Sequence, residues 1–157
     1  MKKVTILGIF ILVLDQIIKQ IIAITIPLDR SVSVIGDFFK LTYVRNYGAA
    51  WSVLSGNRFF LIIVALASLF FLYYFLHNRI LNRSESIIYG CLLGGILGNL
   101  YDRIVYGYVI DYLEFTFFDY HYPIFNFADI CIVISVFCLI ILIWKGDVNH
   151  GTNGRSK

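Results

Sequence analysis

The chain has 157 residues, enough for one domain, and a formal net charge of +3. Hydrophobic residues make up 59% of it and the mean hydropathy is +0.80, far above the composition of a water-soluble globular protein. That excludes a soluble enzyme and predicts a membrane protein, and with no basic patch to hold phosphates a nucleic-acid partner is excluded as well.

The first apolar run covers residues 4–26 and follows Lys2 and Lys3, as a secretory signal would. Asp15 and Lys19 interrupt its core and no small-x-small cleavage site follows, so the spacing predicts a permanent span. The i, i+4 placement puts Asp15 and Lys19 on one helix face, where they neutralise each other or meet another span.

The connection over residues 27–58 is long for so small a protein, and the alternation in FFKLTYVRN predicts a short strand or hairpin. A second span at 59–76 carries no charge and ends in a short polar turn, HNRILNRSES. The third, at 87–105, contains GCLLGGILGNLYDRI, in which Gly90, Gly94 and Gly98 recur every four residues and form a smooth stripe for helix packing. Asn99 and Arg103 extend the stripe. They suit either backbone carbonyls and lipid oxygens or a network at the helix end, with Asp102 paired to Arg103 or its neighbours.

The next connection, 106–124, is dense in Tyr and Phe, which favour a membrane interface. It leads into a fourth span at 125–144, FNFADICIVISVFCLIILIW, with Asp129 at its mouth. The tail 146–157 shows no periodicity. Each span has about the 20 residues that a bilayer core requires.

The expected fold is therefore an all-α membrane protein of four transmembrane helices within residues 1–145, with a small extracytoplasmic β-like cradle and loop. Four spans put Lys2, Lys3, Arg79, Arg83, Lys145, Arg155 and Lys157 on one side. The other side holds Arg30, Lys40, Arg45, Arg58 and Arg103 mixed with acids, so both termini and the tail are expected to be cytoplasmic. Cys91, Cys131 and Cys138 lie in apolar runs without metal-ligand spacing and read as packing residues.

Asp111 and Asp129 fall beyond the outer ends of consecutive predicted spans, with 17 residues between them that can fold back. Two carboxylates meeting at one depth would supply an acid and a base from identical side chains, because repulsion and desolvation keep one protonated. Spacing alone favours the plainer reading, two interfacial carboxylates in contact with water. Ser/His chemistry finds no support: His77, His121 and His150 read as loop or tail and there is no GxSxG. The absence of HExxH argues against an intramembrane zinc protease. A proton or ion carrier would need polar groups through the full membrane depth, and the second span has no charged one. A noncatalytic assembly protein would use the glycine stripe and tolerate loss of the aspartates.

Five boxes in order carry a resemblance across most of the chain: DQIIK at 15–19, RNYGAAWS at 45–52, GGILGNLYDR at 94–103, VIDYLEF at 109–115 and FNFAD at 125–129. Together they resemble the bacterial lipoprotein signal peptidase family, signal peptidase II. Trp51 stands where Phe is common. The resemblance implies an aspartyl endopeptidase of the cell membrane that removes signal peptides from diacylglyceryl-modified prolipoproteins, cutting before the lipidated cysteine at the extracytoplasmic face. It implies Asp111 and Asp129 as the catalytic pair, Asn46, Asn99, Arg103 and Asn126 as polar positions lining the site, and Asp15 as a less direct one. No cofactor and no metal are expected, and the partners implied are membrane lipid and the prolipoprotein; a monomer is expected, while the glycine stripe could pack within one chain as readily as between chains.

Overall fold

The computed structural model describes residues 1–48, 56–118 and 120–144. Trp51 and Ser52 of the second box, Asp119, Lys145 and the tail 146–157 lie outside the described residues.

Four helices and one antiparallel sheet follow in the order α1 (Lys2–Thr25), β1 (Ser31–Ile35), β2 (Phe39–Asn46), α2 (Arg58–Leu76), α3 (Arg83–Val105), β3 (Val109–Phe117), β4 (Tyr120–His121) and α4 (Phe127–Trp144). Helices α1, α2 and α4 are long and apolar enough to cross a membrane. Their large side chains face outward, among them Ile6, Phe10, Phe59, Phe70, Phe71, Val133 and Phe137, as on a surface solvated by lipid. Helix α3 has 23 residues but is less apolar, because its glycines, Asn99 and terminal charges replace the aliphatic residues of the others. It touches all three other helices.

The glycine stripe explains that central place. A Cβ at Gly94 would lie 2.5 Å from Ile11 Cβ and 2.7 Å from the Gly8 carbonyl, and one at Gly90 would lie 2.8 Å from Leu7. Gly95 faces the other way, with the Ala128 carbonyl 2.6 Å from where its Cβ would stand. The stripe thus closes α1 onto α3 within one chain, and Gly95 adds α4. Gly94→Ala is expected to destabilise the protein by about 1–3 kcal/mol, since a new methyl would meet backbone that cannot yield. Thermal unfolding in detergent measures this, and an unchanged transition would show that the two helices do not touch there.

The sheet is larger than the hairpin expected from sequence, so the fold is not all-α. Its strands lie in the order β1-β2-β3-β4, all antiparallel, and β2 pairs with β3 through Val44↔Asp111, Arg45↔Ile110 and Asn46↔Val109. Strand β3 was hidden in the sequence because its first residues are buried on both faces, which removes the alternation of a half-buried strand. His121, expected in a loop, belongs to β4.

Ile22 and Ile26 at the end of α1 pack against Tyr43, Ile110 and Tyr112, which seats the sheet on the helices. Gly107 makes the hand-off from α3 to β3. With φ at 86° it occupies the left-handed region that favours glycine, and its N–H donates to the Asp102 carbonyl at 3.1 Å. The tight turn brings β3 back beside the end of α3. Strand β3 then bonds the chain ahead of α4: Leu113 N–H donates to the Phe125 carbonyl at 2.8 Å, and Phe125 N–H returns a bond to Leu113 at 3.2 Å. Asp111 and the first turn of α4 are side by side as a result.

Candidate active site

Helix α4 begins with four backbone N–H groups that have no partner within the helix, and all four find acceptors. Asn126 N–H donates to Asp129 Oδ2 (3.2 Å), Phe127 N–H to the Tyr112 hydroxyl (3.1 Å), Ala128 N–H to Asp15 Oδ1 (3.1 Å) and Asp129 N–H to Asn126 Oδ1 (3.0 Å). Asn126 and Asp129 therefore cap the helix reciprocally, and an acidic residue in the first turn also suits the helix dipole. This local geometry holds Asp129 at the helix mouth.

Asn126 is fully buried and also joins the two aspartates. Its Nδ2 donates to Asp111 Oδ1 at 2.6 Å and to Asn99 Oδ1 at 3.2 Å. Asp111 receives a second amide, Asn46 Nδ2, on its other oxygen at 2.8 Å, and Asp129 Oδ1 receives Asn99 Nδ2 at 2.7 Å. Each carboxylate is thus held by one donor from Asn126 and one from another asparagine. The three asparagines come from β2, α3 and the approach to α4, so the constellation exists only when those elements pack together. Asn46 Oδ1 in turn accepts Gly48 N–H at 2.8 Å.

Asp111 lies in the sheet, 3% exposed. Burial first, and the neighbouring Asp129 charge second, push its carboxyl from the ordinary 3.8 up to about 7. The Asn46 and Asn126 amides and the more distant Lys19 ammonium oppose the shift and do not cancel it.

Arg103 stands at the rim. It donates to the Asn99 carbonyl at 3.2 Å and the Gly48 carbonyl at 3.1 Å, tying α3 to the stretch just after β2. Asp102, expected to pair with Arg103 or its neighbours, turns away from Arg103 to other groups: its carboxylate meets Lys19 Nζ at 2.9 Å and Gln16 Nε2 at 2.7 Å. A side chain one residue further along a helix turns by about 100°, so neighbours in sequence rarely share a face. Asp15 and Lys19 form the expected pair at 2.7 Å, both fully buried. Asp15 therefore lies under the site and outside the open groove.

A groove of about 1150 Å³ leads from these residues. Asn46, Asn99, Arg103, Asp111 and Asp129 form its polar part, and Val64, Phe71, Leu92, Ile132 and Val136 of α2, α3 and α4 line the apolar remainder. An extended apolar segment with one polar bond near its end matches that distribution. Of the residues singled out in the sequence, Asn46, Asn99, Asn126, Asp111 and Asp129 meet in one hydrogen-bonded network, Arg103 borders it and Asp15 supports it. Lys19 went unrecognised as part of the site: its Nζ donates to Asn99 Oδ1 at 3.0 Å. Its cost at membrane depth was the available signal, and the i, i+4 pairing with Asp15 accounted for it too readily.

Comparison with known proteins places the chain among similar sequences and folds. The chain is 36% identical over 144 residues to the lipoprotein signal peptidase of Halothermothrix orenii, covering 92% of this chain and 97% of that one. It is 37% identical over 144 residues to that of Staphylococcus aureus, covering 91% and 88% respectively. A solved bacterial membrane enzyme superposes over 100% of this chain and 96% of its own, with a TM-score of 0.84 at 34% identity. A second does so over 92% and 94%, with a TM-score of 0.82 at 36% identity. The profile described as Signal peptidase (SPase) II matches residues 7–145, and the chain belongs to that peptidase family.

Proposed function

We propose that the protein is an aspartyl endopeptidase that removes the signal peptide from diacylglyceryl-modified prolipoproteins, with Asp111 and Asp129 as the catalytic pair. The observation that carries this reading is the asparagine network, which holds two carboxylates from different elements at the head of an apolar groove. A signal peptide's apolar stretch and the acyl chains of a lipidated cysteine both suit such a groove. The bond to be cut then lies beside the aspartates.

Asp111, with its carboxyl raised to about 7, is the acid, and Asp129 is the base. Asp129 takes a proton from water as the water oxygen adds to the scissile carbonyl carbon, while Asp111 gives its proton to the carbonyl oxygen. On collapse the C–N bond breaks, Asp129 passes its proton to the leaving nitrogen and Asp111 recovers its own. No bond to the enzyme forms. The asparagines orient the pair, and Arg103, Asn46 and Asn99 border the substrate path.

We infer four crossings, α3 included. Its 23 residues reach about 34 Å, similar to the hydrocarbon thickness of a bilayer, and its polar face is covered by α1 and the sheet. Both termini and the tail 146–157 then lie in the cytoplasm of a bacterial cell membrane, and residues 1–145 form one peptidase domain. The aspartates lie at the outer boundary, where water reaches them. The glycine stripe, used within the chain, supports a monomer.

The test is cleavage of a diacylglyceryl-modified prolipoprotein by the purified protein in detergent, with the new N-terminus identified and the rate followed against pH. Cleavage before the lipidated cysteine is expected. Because the raised carboxyl of Asp111 stays protonated up to about 7, the rate should fall as pH rises through that value. A rate that is flat or climbing there would remove Asp111 from the acid's role, and an inert protein would overturn the assignment.

A further inference from the structure

Beneath the aspartates lies a group of charges that the reaction itself does not use. Asp15, Lys19 and Asp102 are each 0% exposed, and the Lys19 ammonium sits between the two carboxylates at 2.7 and 2.9 Å. Gln16 completes the cluster by donating to Asp102 Oδ1 at 2.7 Å. An ion pair in so apolar a place adds little to stability on its own, because desolvation offsets most of its attraction. Simple neutralisation therefore leaves unexplained why three charges are assembled there.

The second bond of each carboxylate suggests the reason. Asp15 Oδ1 accepts Ala128 N–H at 3.1 Å, and Ala128 immediately precedes Asp129. Asp102 Oδ2 accepts Ile110 N–H at 3.2 Å, and Ile110 immediately precedes Asp111. The same relation thus occurs twice, once on α4 and once on β3. Lys19 joins the two anchors and makes a third contact, donating to the Asn99 oxygen at 3.0 Å so that the Asn99 amide nitrogen faces Asp129.

We propose that Lys19 is a positioning residue for the aspartate pair: through Asp15 and Asp102 it ties together the backbone just ahead of each aspartate, and through Asn99 it orients a donor onto Asp129. This rests on the reading of Asp111 and Asp129 as catalytic. The spacing of the two carboxylates is then set by one ammonium group rather than by the sheet and helix separately. A displacement of about 1 Å between reacting groups costs about 100-fold in rate, so loosening this node should act on turnover.

The experiment compares Lys19→Met, Lys19→Gln, Asp102→Asn and Asp102→Leu with the parent in detergent, at matched thermal unfolding, on the diacylglyceryl-modified prolipoprotein. Lys19→Met is expected to lower kcat by about 100-fold with KM little changed. The alkaline limb of its pH profile should move upward, since the Lys19 charge holds the Asp111 carboxyl down. Asp102→Asn keeps an oxygen for Ile110 N–H and should retain most of kcat, whereas Asp102→Leu should lose it. If Lys19→Met does not fold, Lys19→Gln, which can satisfy only part of the node, is read by the same two quantities.

A folded Lys19 variant with the parent's kcat and an unmoved profile overturns the proposal, as does a loss that appears in KM alone. Asp111→Asn and Asp129→Asn are assayed in parallel. If these cut like the parent, the catalytic reading has failed whatever Lys19 does. If they are inert while the Lys19 variants behave as the parent, only the positioning role is lost.

Discussion

Asp111→Asn and Asp129→Asn are each expected to lower cleavage of a diacylglyceryl-modified prolipoprotein by about 1,000-fold or more, the range associated with loss of a general acid or base. An asparagine preserves size and shape but can neither accept the proton of water nor carry one to a carbonyl oxygen. The network sharpens the expectation. Both oxygens of Asp111 accept side-chain amides, so an asparagine there must present its own N–H to one of them. At Asp129 the partner Asn99 cannot simply turn over, because its oxygen is already engaged by Lys19 and Asn126. One unmet donor costs about 1–3 kcal/mol, so thermal unfolding must be followed beside the initial rate. A variant that unfolds like the parent and still cuts at a similar rate would make that aspartate an interfacial carboxylate and nothing more.

Asn126→Ala should have the next largest effect on turnover. This residue is fully buried and donates to Asp111 and to Asn99 while accepting the Asp129 N–H. Its removal strips one donor from Asp111 and the acceptor of the Asp129 N–H, while the backbone N–H that donates to the Asp129 carboxylate stays. A loss of about 100-fold in kcat is expected, of the size seen when one preorganised donor is deleted from an active site. Loss of the helix cap should also lower stability by about 1 kcal/mol. KM should stay near the parent value, because Asn126 is buried against the aspartates and does not line the groove. If KM rises while kcat holds, Asn126 is a substrate contact, and its proposed grip on the pair is wrong.

Much of this was legible in the residues. Apolar runs of membrane length announced helices, and the recurrence of Gly90, Gly94 and Gly98 announced a close helix contact, because both are properties of local spacing. Five ordered boxes pointed to the family. The boxes also contained every member of the asparagine network. Strand β3 was missed, since burial on both faces erases the two-residue alternation that marks a strand. For Asp102 the sequence left Arg103 and neighbouring groups as open alternatives, and only packing chose Lys19 and Gln16, since adjacent residues on a helix face different ways.

Composition and spacing by themselves determined that the chain enters a membrane, where its helices run, and which polar residues needed an explanation at that depth. Tertiary structure alone decided which of those residues meet. Hydrogen-bond partners 15 to 113 positions apart depend on the sheet seated on α1 by Ile22, Tyr43 and Ile110, and on the turn at Gly107. Local sequence specifies an element's periodicity, but the direction in which one element faces another is fixed by packing across the whole chain. For that reason the two aspartates could be named from the sequence, while the buried ammonium that links the backbone ahead of each could be seen only in the fold.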